Sequence, residues 1–246
     1  MPSTRKPKIG IFGHDARTSE DQDIRTPGHP DTRTPLISPD RDRTLRWRTG
    51  ALLLPLLFLW LIEAVDQILP GNPLDAWGIW PRNLDGLPGI LIAPFLHRGF
   101  DHLLANTIPL LLLGSVILLR GVRQWVTLLQ IVILISGVGA WLLGSPRSNH
   151  IGASGVVFGL VGFLIARGVI ERTWTAALTA LVTALLYGGA VGASIIPEAD
   201  VSWTMHAFGF LGGIAAARWL CRPSPRHRRA GATRITLVRG DGGNDE

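Results

Sequence analysis

The placement of charge constrains this chain more than any other feature. Ten Lys and Arg residues lie between Arg5 and Arg48, seven more lie from Arg218 onward, and long uncharged runs fill the space between. Soluble domains carry about 25% charged residues. This chain carries 17%, against 47% hydrophobic, so it is short of side chains that can face water. A helix needs about 20 mainly apolar residues to cross a hydrocarbon core about 30 Å thick. Six runs qualify as candidates: Gly50–Leu69, His102–Leu119, Trp125–Leu143, the shorter Ser154–Ala166, Trp174–Ile196 and Trp203–Leu220. The fold class expected is an all-α polytopic membrane protein, a six-transmembrane-helix bundle with disordered N- and C-terminal tails.

The flanking charges predict how that bundle sits. Arg46 with Arg48, Arg120 with Arg123, Arg167 with Arg172, and Arg218 with Arg222 all fall on one side of a six-span count. The opposite side holds Arg82, Arg98 and Arg147 beside Asp75, Asp85, Asp101, Glu198 and Asp200. Positive charge is retained on the cytoplasmic side, so both termini are expected in the cytoplasm, with a cell (plasma) membrane as the location. This reading of the basic balance leaves no nucleic acid among the expected partners. Residues 1–46 are polar and Pro-rich and are expected to be a disordered tail, because they have too little apolar surface to offset ordering entropy. They show no cleavable signal peptide, so the first span is expected to serve as the insertion signal. The membrane domain is expected over 47–221, followed by a basic, polar tail at 222–246. The single cysteine, Cys221, excludes a disulfide framework and a C-x-x-C pair. With no ligand cluster of metal-binding spacing, no cofactor is expected.

Few polar residues enter the spans, and four of them share a depth. Ser154 before Arg167, His206 before Arg218 and Asn106 before Arg120 each lie about 18–21 Å from the cytoplasmic end at 1.5 Å rise per residue. His102 lies one turn above Asn106 on the same helix face. Polar groups at that depth are costly and mark a reaction site or a cavity. Ser154 opens the shortest span, so the loop Ser145–Ala153 must dip into the protein from outside, which is tolerated only where protein or a watery cavity receives the backbone. The same opening leaves free amide donors at a helix N-terminus. Glu63 and Asp66, near the far end of the first span, are expected at the interface. Gly155 and Gly159, Gly209 and Gly213, and Gly188 and Gly192 form three small-xxx-small pairs that would let helices approach. The first two pairs would bring Ser154 and His206 together.

At these residues the chain resembles the rhomboid family of intramembrane serine proteases. The resemblance rests on Gly152-x-Ser154-Gly155, on His102-x-x-x-Asn106, and on His206 followed by Gly209 and Gly213, in that order along the spans. It covers about residues 50–220 and implies a rhomboid-like fold, with Ser154 as nucleophile and His206 as general base. It further implies an oxyanion- and substrate-stabilising site made by the Ser154 amide with Asn106, His102, Ala153 and Gly152, and an aromatic ring at Phe158 stacked on the histidine. Its implied partners are transmembrane protein substrates in the lipid bilayer, entering between spans two and five. Some members carry adjacent Trp and Arg in the first loop, whereas here Pro81 separates Trp80 from Arg82. His150 in the dipping loop is expected to be a solvated or capping residue, and Tyr187 to face the substrate gate. Two other functions fit the same residues. A rhomboid-like pseudoprotease would bind membrane clients without cutting them, and a small transporter would use His102 and His206 as proton relays, although the two halves show no internal repeat.

Overall fold

The computed structural model describes residues 39–193 and 202–222. The tail stretches 1–38 and 223–246, and the end of the fifth run with Pro197, Glu198 and Asp200, lie outside the described residues. The described elements run α1 Pro39–Ile68, 3-10 turns Pro73–Trp77 and Leu84–Gly86, α2 Gly89–Ile92, a 3-10 turn Ala93–Phe95, α3 Phe100–Leu118, α4 Val122–Leu143, α5 Ser154–Glu171, α6 Trp174–Ala193 and α7 Trp203–Leu220. Among the described residues the only β-type pairing is an isolated bridge between Ile79 and His150. The protein is an all-α membrane bundle.

Five helices, α1 and α3–α6, are long and apolar enough to cross a membrane. The sixth expected span, α7, is not among them, because it spends its length on Gly, Ala, His206 and Arg218 rather than on large aliphatic residues. Packing explains the tolerance. Most of the buried face of α7 lies against α4 and α5, so protein rather than lipid receives its small residues. The enclosed centre of the bundle is α5, while α6 is the least enclosed of the long apolar helices.

Two helix ends differ from the charge-based boundaries. The first helix begins at Pro39, ahead of residue 47, and carries Arg43 and Arg46 on exposed turns beyond the apolar run. On α5, Arg167 does not end the span, since the helix continues one turn to Glu171. Glu171 neutralises Arg167 at 3.0 Å and also takes Arg120 from the end of α3 at 2.9 Å, so a buried guanidinium is paired rather than driven to water. Glu63 and Asp66, at the far end of the first span, are covered by protein. Both are 1% exposed beneath the first loop. Glu63 accepts from the Gln67 side chain and the Gly99 amide, both at 2.8 Å, and Asp66 accepts from the Leu74 amide at 2.8 Å.

A proline ties the first helix to the fourth. Pro55 has no N–H, so the Ala51 carbonyl one turn earlier lacks its helical donor. The Trp125 indole of α4 donates to that carbonyl at 3.2 Å. The closest approach in the bundle is between α5 and α7. A Cβ on Gly209 would fall on the Gly155 carbonyl, and one on Gly213 on the Gly159 carbonyl, so the two backbones touch through their glycines. The third pair behaves differently: a Cβ on Gly188 or Gly192 would meet no described atom within 4 Å, so these glycines do not sit at a described helix contact.

This contrast is testable by thermal unfolding in detergent. Gly213→Leu should cost at least about 2 kcal/mol through overpacking, whereas Gly188→Leu should stay within about 0.5 kcal/mol of the parent.

Candidate active site

The site begins where the dipping loop turns into α5. Gly152 has φ +111, and a Cβ there would lie 2.6 Å from His102 Cε1, so only glycine makes this turn without strain. The loop is pinned on both sides. The Gly152 amide donates to the Ala93 carbonyl at 2.9 Å, and the Ala153 amide donates to His97 Nε2 at 3.3 Å. His150 exchanges backbone hydrogen bonds with Ile79 at 2.9 and 3.0 Å. The amides of Gly152 and Ala153 are therefore spent on holding the loop. Those of Ser154 and Gly155, in the first turn of α5, have no acceptor within their own helix and point as donors towards the helix mouth.

On α7, one turn beyond the N-cap Ser202, His206 reaches across the glycine contact. Its Nε2 lies 2.8 Å from Ser154 Oγ. The Phe158 ring, one turn below Ser154, stacks on the imidazole with centroids 4.3 Å apart and planes 9° from parallel. His206 Nδ1 is buried and has no hydrogen-bond partner among the described residues. Extending α3 and α5 brings Asp101 and Glu171 into long helices that the sequence boundaries kept free of carboxylates. Neither orients the histidine: Asp101 is exposed at the start of α3, and Glu171 is held by Arg120 and Arg167 at the far end of α5. The ring is steered by stacking and by the serine instead. A hydroxyl at this distance from a neutral imidazole is in reach for proton transfer.

Asn106 and His102 bring α3 to the same place. Asn106 is buried and donates one amide hydrogen to the His102 carbonyl at 3.1 Å, which leaves its second N–H to offer. The His102 ring lies against Gly152, and its Nδ1 faces the Arg98 amide at 3.4 Å. Asn106, Ser154, Phe158 and Tyr187 line one largely apolar cavity of about 240 Å³ between α3, α5 and α6. Among the described residues, no group of three His, Cys, Asp or Glu side chains is arranged to hold a metal ion.

The outer loops contribute residues that the sequence reading passed over or placed differently. His97 was not singled out, yet it is fully buried, stacks edge-on against His102 with centroids 5.2 Å apart, and holds the Ala153 amide. Its one sequence signal is a histidine five residues ahead of His102 in an apolar stretch. His150 is buried rather than solvated, with Ser148 Oγ 2.9 Å from its Nε2. Arg82 anchors the first loop despite the intervening Pro81. Its side chain donates to the Leu142 carbonyl at 2.9 Å and its amide to Trp141 at 3.0 Å, while the Trp141 indole donates to Asn83 at 2.9 Å. Arg98 reaches the Asn149 carbonyl at 2.8 Å. Burial, then the neighbouring His102, lowers His97 to about 4 against a backbone bond to Phe95. Burial, then Arg98, lowers His150 to about 4.

A membrane bundle that sets a serine–histidine pair at a glycine-built helix contact defines a narrow class of protein. A family model, the Rhomboid domain, matches residues 85–223. Uncharacterized protein Rv1337 of Mycobacterium tuberculosis is 40% identical over 200 residues, covering 76% of this chain and 83% of that protein. Uncharacterized protein ML1171 of Mycobacterium leprae is 35% identical over 201 residues, covering 77% and 78%. RHOMBOID-like protein 4 of Arabidopsis thaliana is 33% identical over 134 residues, covering 51% of this chain and 31% of its own length. The chain belongs to the rhomboid family.

The lowered histidines predict a pH dependence of stability. Between about 6.5 and about 4 the unfolded chain binds protons that His97 and His150 refuse in the fold, so stability falls as pH is lowered through that window, by at most about 1.4 kcal/mol per pH unit for each. Thermal unfolding at pH 7, 6 and 5 should show this slope, and His150→Gln should flatten it.

Proposed function

We propose that this protein is an intramembrane serine endopeptidase that cuts transmembrane segments of other proteins, with both termini in the cytoplasm of a plasma-membrane-embedded chain. The 2.8 Å approach of Ser154 Oγ to His206 Nε2 carries this reading. Ser154 attacks the scissile carbonyl while His206 takes its proton. The oxyanion is held by the Ser154 amide, the free N–H of Asn106 and the His102 ring, each a fixed donor in a site that is mostly apolar. Gly152 and Ala153 serve by position, since their own amides are engaged elsewhere. Collapse of the intermediate expels the amine, to which His206 returns the proton, and water then hydrolyses the acyl-enzyme by the same route in reverse. Phe158 keeps the imidazole in plane during both half-reactions. The cavity lined by Tyr187 between α3 and α6 supports entry of a substrate helix from the bilayer, and α6, the least enclosed of the long apolar helices, supports that direction of access.

A fluorophosphonate probe tests the chemistry without a known substrate. Detergent-purified parent should label, Ser154→Ala should not, and His206→Ala should lose at least about 100-fold. Asn106→Ala should slow labelling by about 100-fold, the usual cost of one oxyanion donor. A folded parent that stays unlabelled by phosphonates of two sizes would favour client binding without cleavage. Proton flux into vesicles that survives Ser154→Ala would favour the transporter.

A further inference from the structure

Among the described residues, α1 and α3 each carry an internal proline, and the carbonyls these prolines free end differently. Pro55 frees the Ala51 carbonyl of α1, which takes the Trp125 indole instead. Pro109 has no N–H either, so the Ala105 carbonyl of α3, one turn earlier, lacks its helical donor. No side chain or loop amide among the described residues replaces that donor. The neighbouring carbonyls show the contrast: His102 accepts from the Asn106 side chain at 3.1 Å, and Leu103 from Thr107 at 2.8 Å.

The bare acceptor lies beside the reaction centre. Ala105 and Pro109 sit one turn apart on one face of α3, and both line the cavity that holds Asn106 and Ser154. Ala105 is exposed on that face, in a helix long and apolar enough to cross a membrane. A carbonyl without a donor is costly in hydrocarbon. Water that reaches the site for hydrolysis can pair with it, so a polypeptide that fills the cavity and displaces this water must bring a donor of its own. An intact substrate helix cannot, because its backbone N–H groups are engaged with its own carbonyls. A cavity of about 240 Å³ is about 8 Å across, the length of about two residues of extended chain.

We propose that the Ala105 carbonyl is a substrate-binding acceptor, which takes a backbone N–H from an unwound stretch of the segment being cut, within about two residues of the reacting carbonyl. This role rests on the proteolytic reading and adds a selective element to it. A segment that unwinds meets the acceptor, whereas one that stays helical leaves it bare.

An amide-to-ester scan tests this on the full-length protein in detergent. A hexa-alanyl α-ketoamide spanning the reacting carbonyl competes with the fluorophosphonate for Ser154, and each ester removes one N–H while keeping the chain length. In the parent, one ester within about two residues of the reacting carbonyl should weaken competition by about tenfold, the effect of one hydrogen bond. Pro109→Ala returns an N–H to α3 and gives the Ala105 carbonyl its helical donor, so the same ester should then cost less than about twofold. Pro109→Leu restores the same N–H and should behave alike, which covers a misfolded Pro109→Ala. Pro55→Ala restores a donor in α1, away from this cavity, and should keep the tenfold effect. A parent that tolerates every ester, ester losses that both Pro109 variants leave unchanged, or a loss erased equally by Pro55→Ala would each overturn the proposal. Absence of fluorophosphonate labelling sinks the proteolytic reading itself, whereas labelling with a flat ester scan sinks only the acceptor.

Discussion

The structure depends on one contact, the backbone-to-backbone approach of α5 and α7. A histidine on one helix reaches a serine on another only when the axes are unusually close, and side chains at the crossing would hold them apart. Gly209 against the Gly155 carbonyl and Gly213 against the Gly159 carbonyl remove that obstacle. In lipid there is little hydrophobic force to press helices together, so dispersion at such close contacts supplies most of the attraction. The same small residues make α7 less apolar than the other long helices, and its neighbours α4 and α5 cover most of its buried face.

The serine is also held from its loop side. A turn that enters a membrane protein carries backbone donors that must find partners. The 3-10 turn Ala93–Phe95 and His97 supply them at Gly152 and Ala153, and the Ile79 bridge supplies them at His150. Arg82 and Trp141 then fasten that first loop to the end of α4. With the loop amides consumed in this way, the donors left at the mouth of α5 are those of its first turn, beginning with Ser154 and Gly155. A site that needs fixed dipoles gains from this division, because the donors left over are those a reacting carbonyl would meet.

Much of this was legible in the sequence. The helical runs could be read from charge and hydropathy, and α7 was bounded at Trp203 and Leu220 as found. The common depth of Asn106, Ser154 and His206 could be read from helical rise alone, since a helix in a bilayer has almost no freedom along the membrane normal. Charge was a poorer guide where it was paired. Arg167 looked like a helix stop because its partner Glu171 lies one turn beyond the apolar run, and nothing in the spacing shows that the same carboxylate also takes Arg120 from another helix. That Glu63 and Asp66 are buried was not legible, because the loop that covers them lies later in the chain. Gly188 and Gly192 carried the same motif as the glycines of the α5–α7 contact and meet no described atom within 4 Å, since a small-xxx-small pair states what could approach, not what does.

The sequence by itself determined that the chain forms a helical membrane bundle, and that a serine, two histidines and an asparagine fall at similar heights along its helices. These follow from periodicity, rise and the cost of charge in hydrocarbon, which act on each segment alone. Only the tertiary structure decided contacts between distant segments that no motif marks: that the buried His97 holds the loop, that Arg82 fastens the first loop to the end of α4, and that Trp125 takes the carbonyl freed by Pro55. Such contacts are set by pairwise packing between segments distant in the chain, and no single segment encodes them.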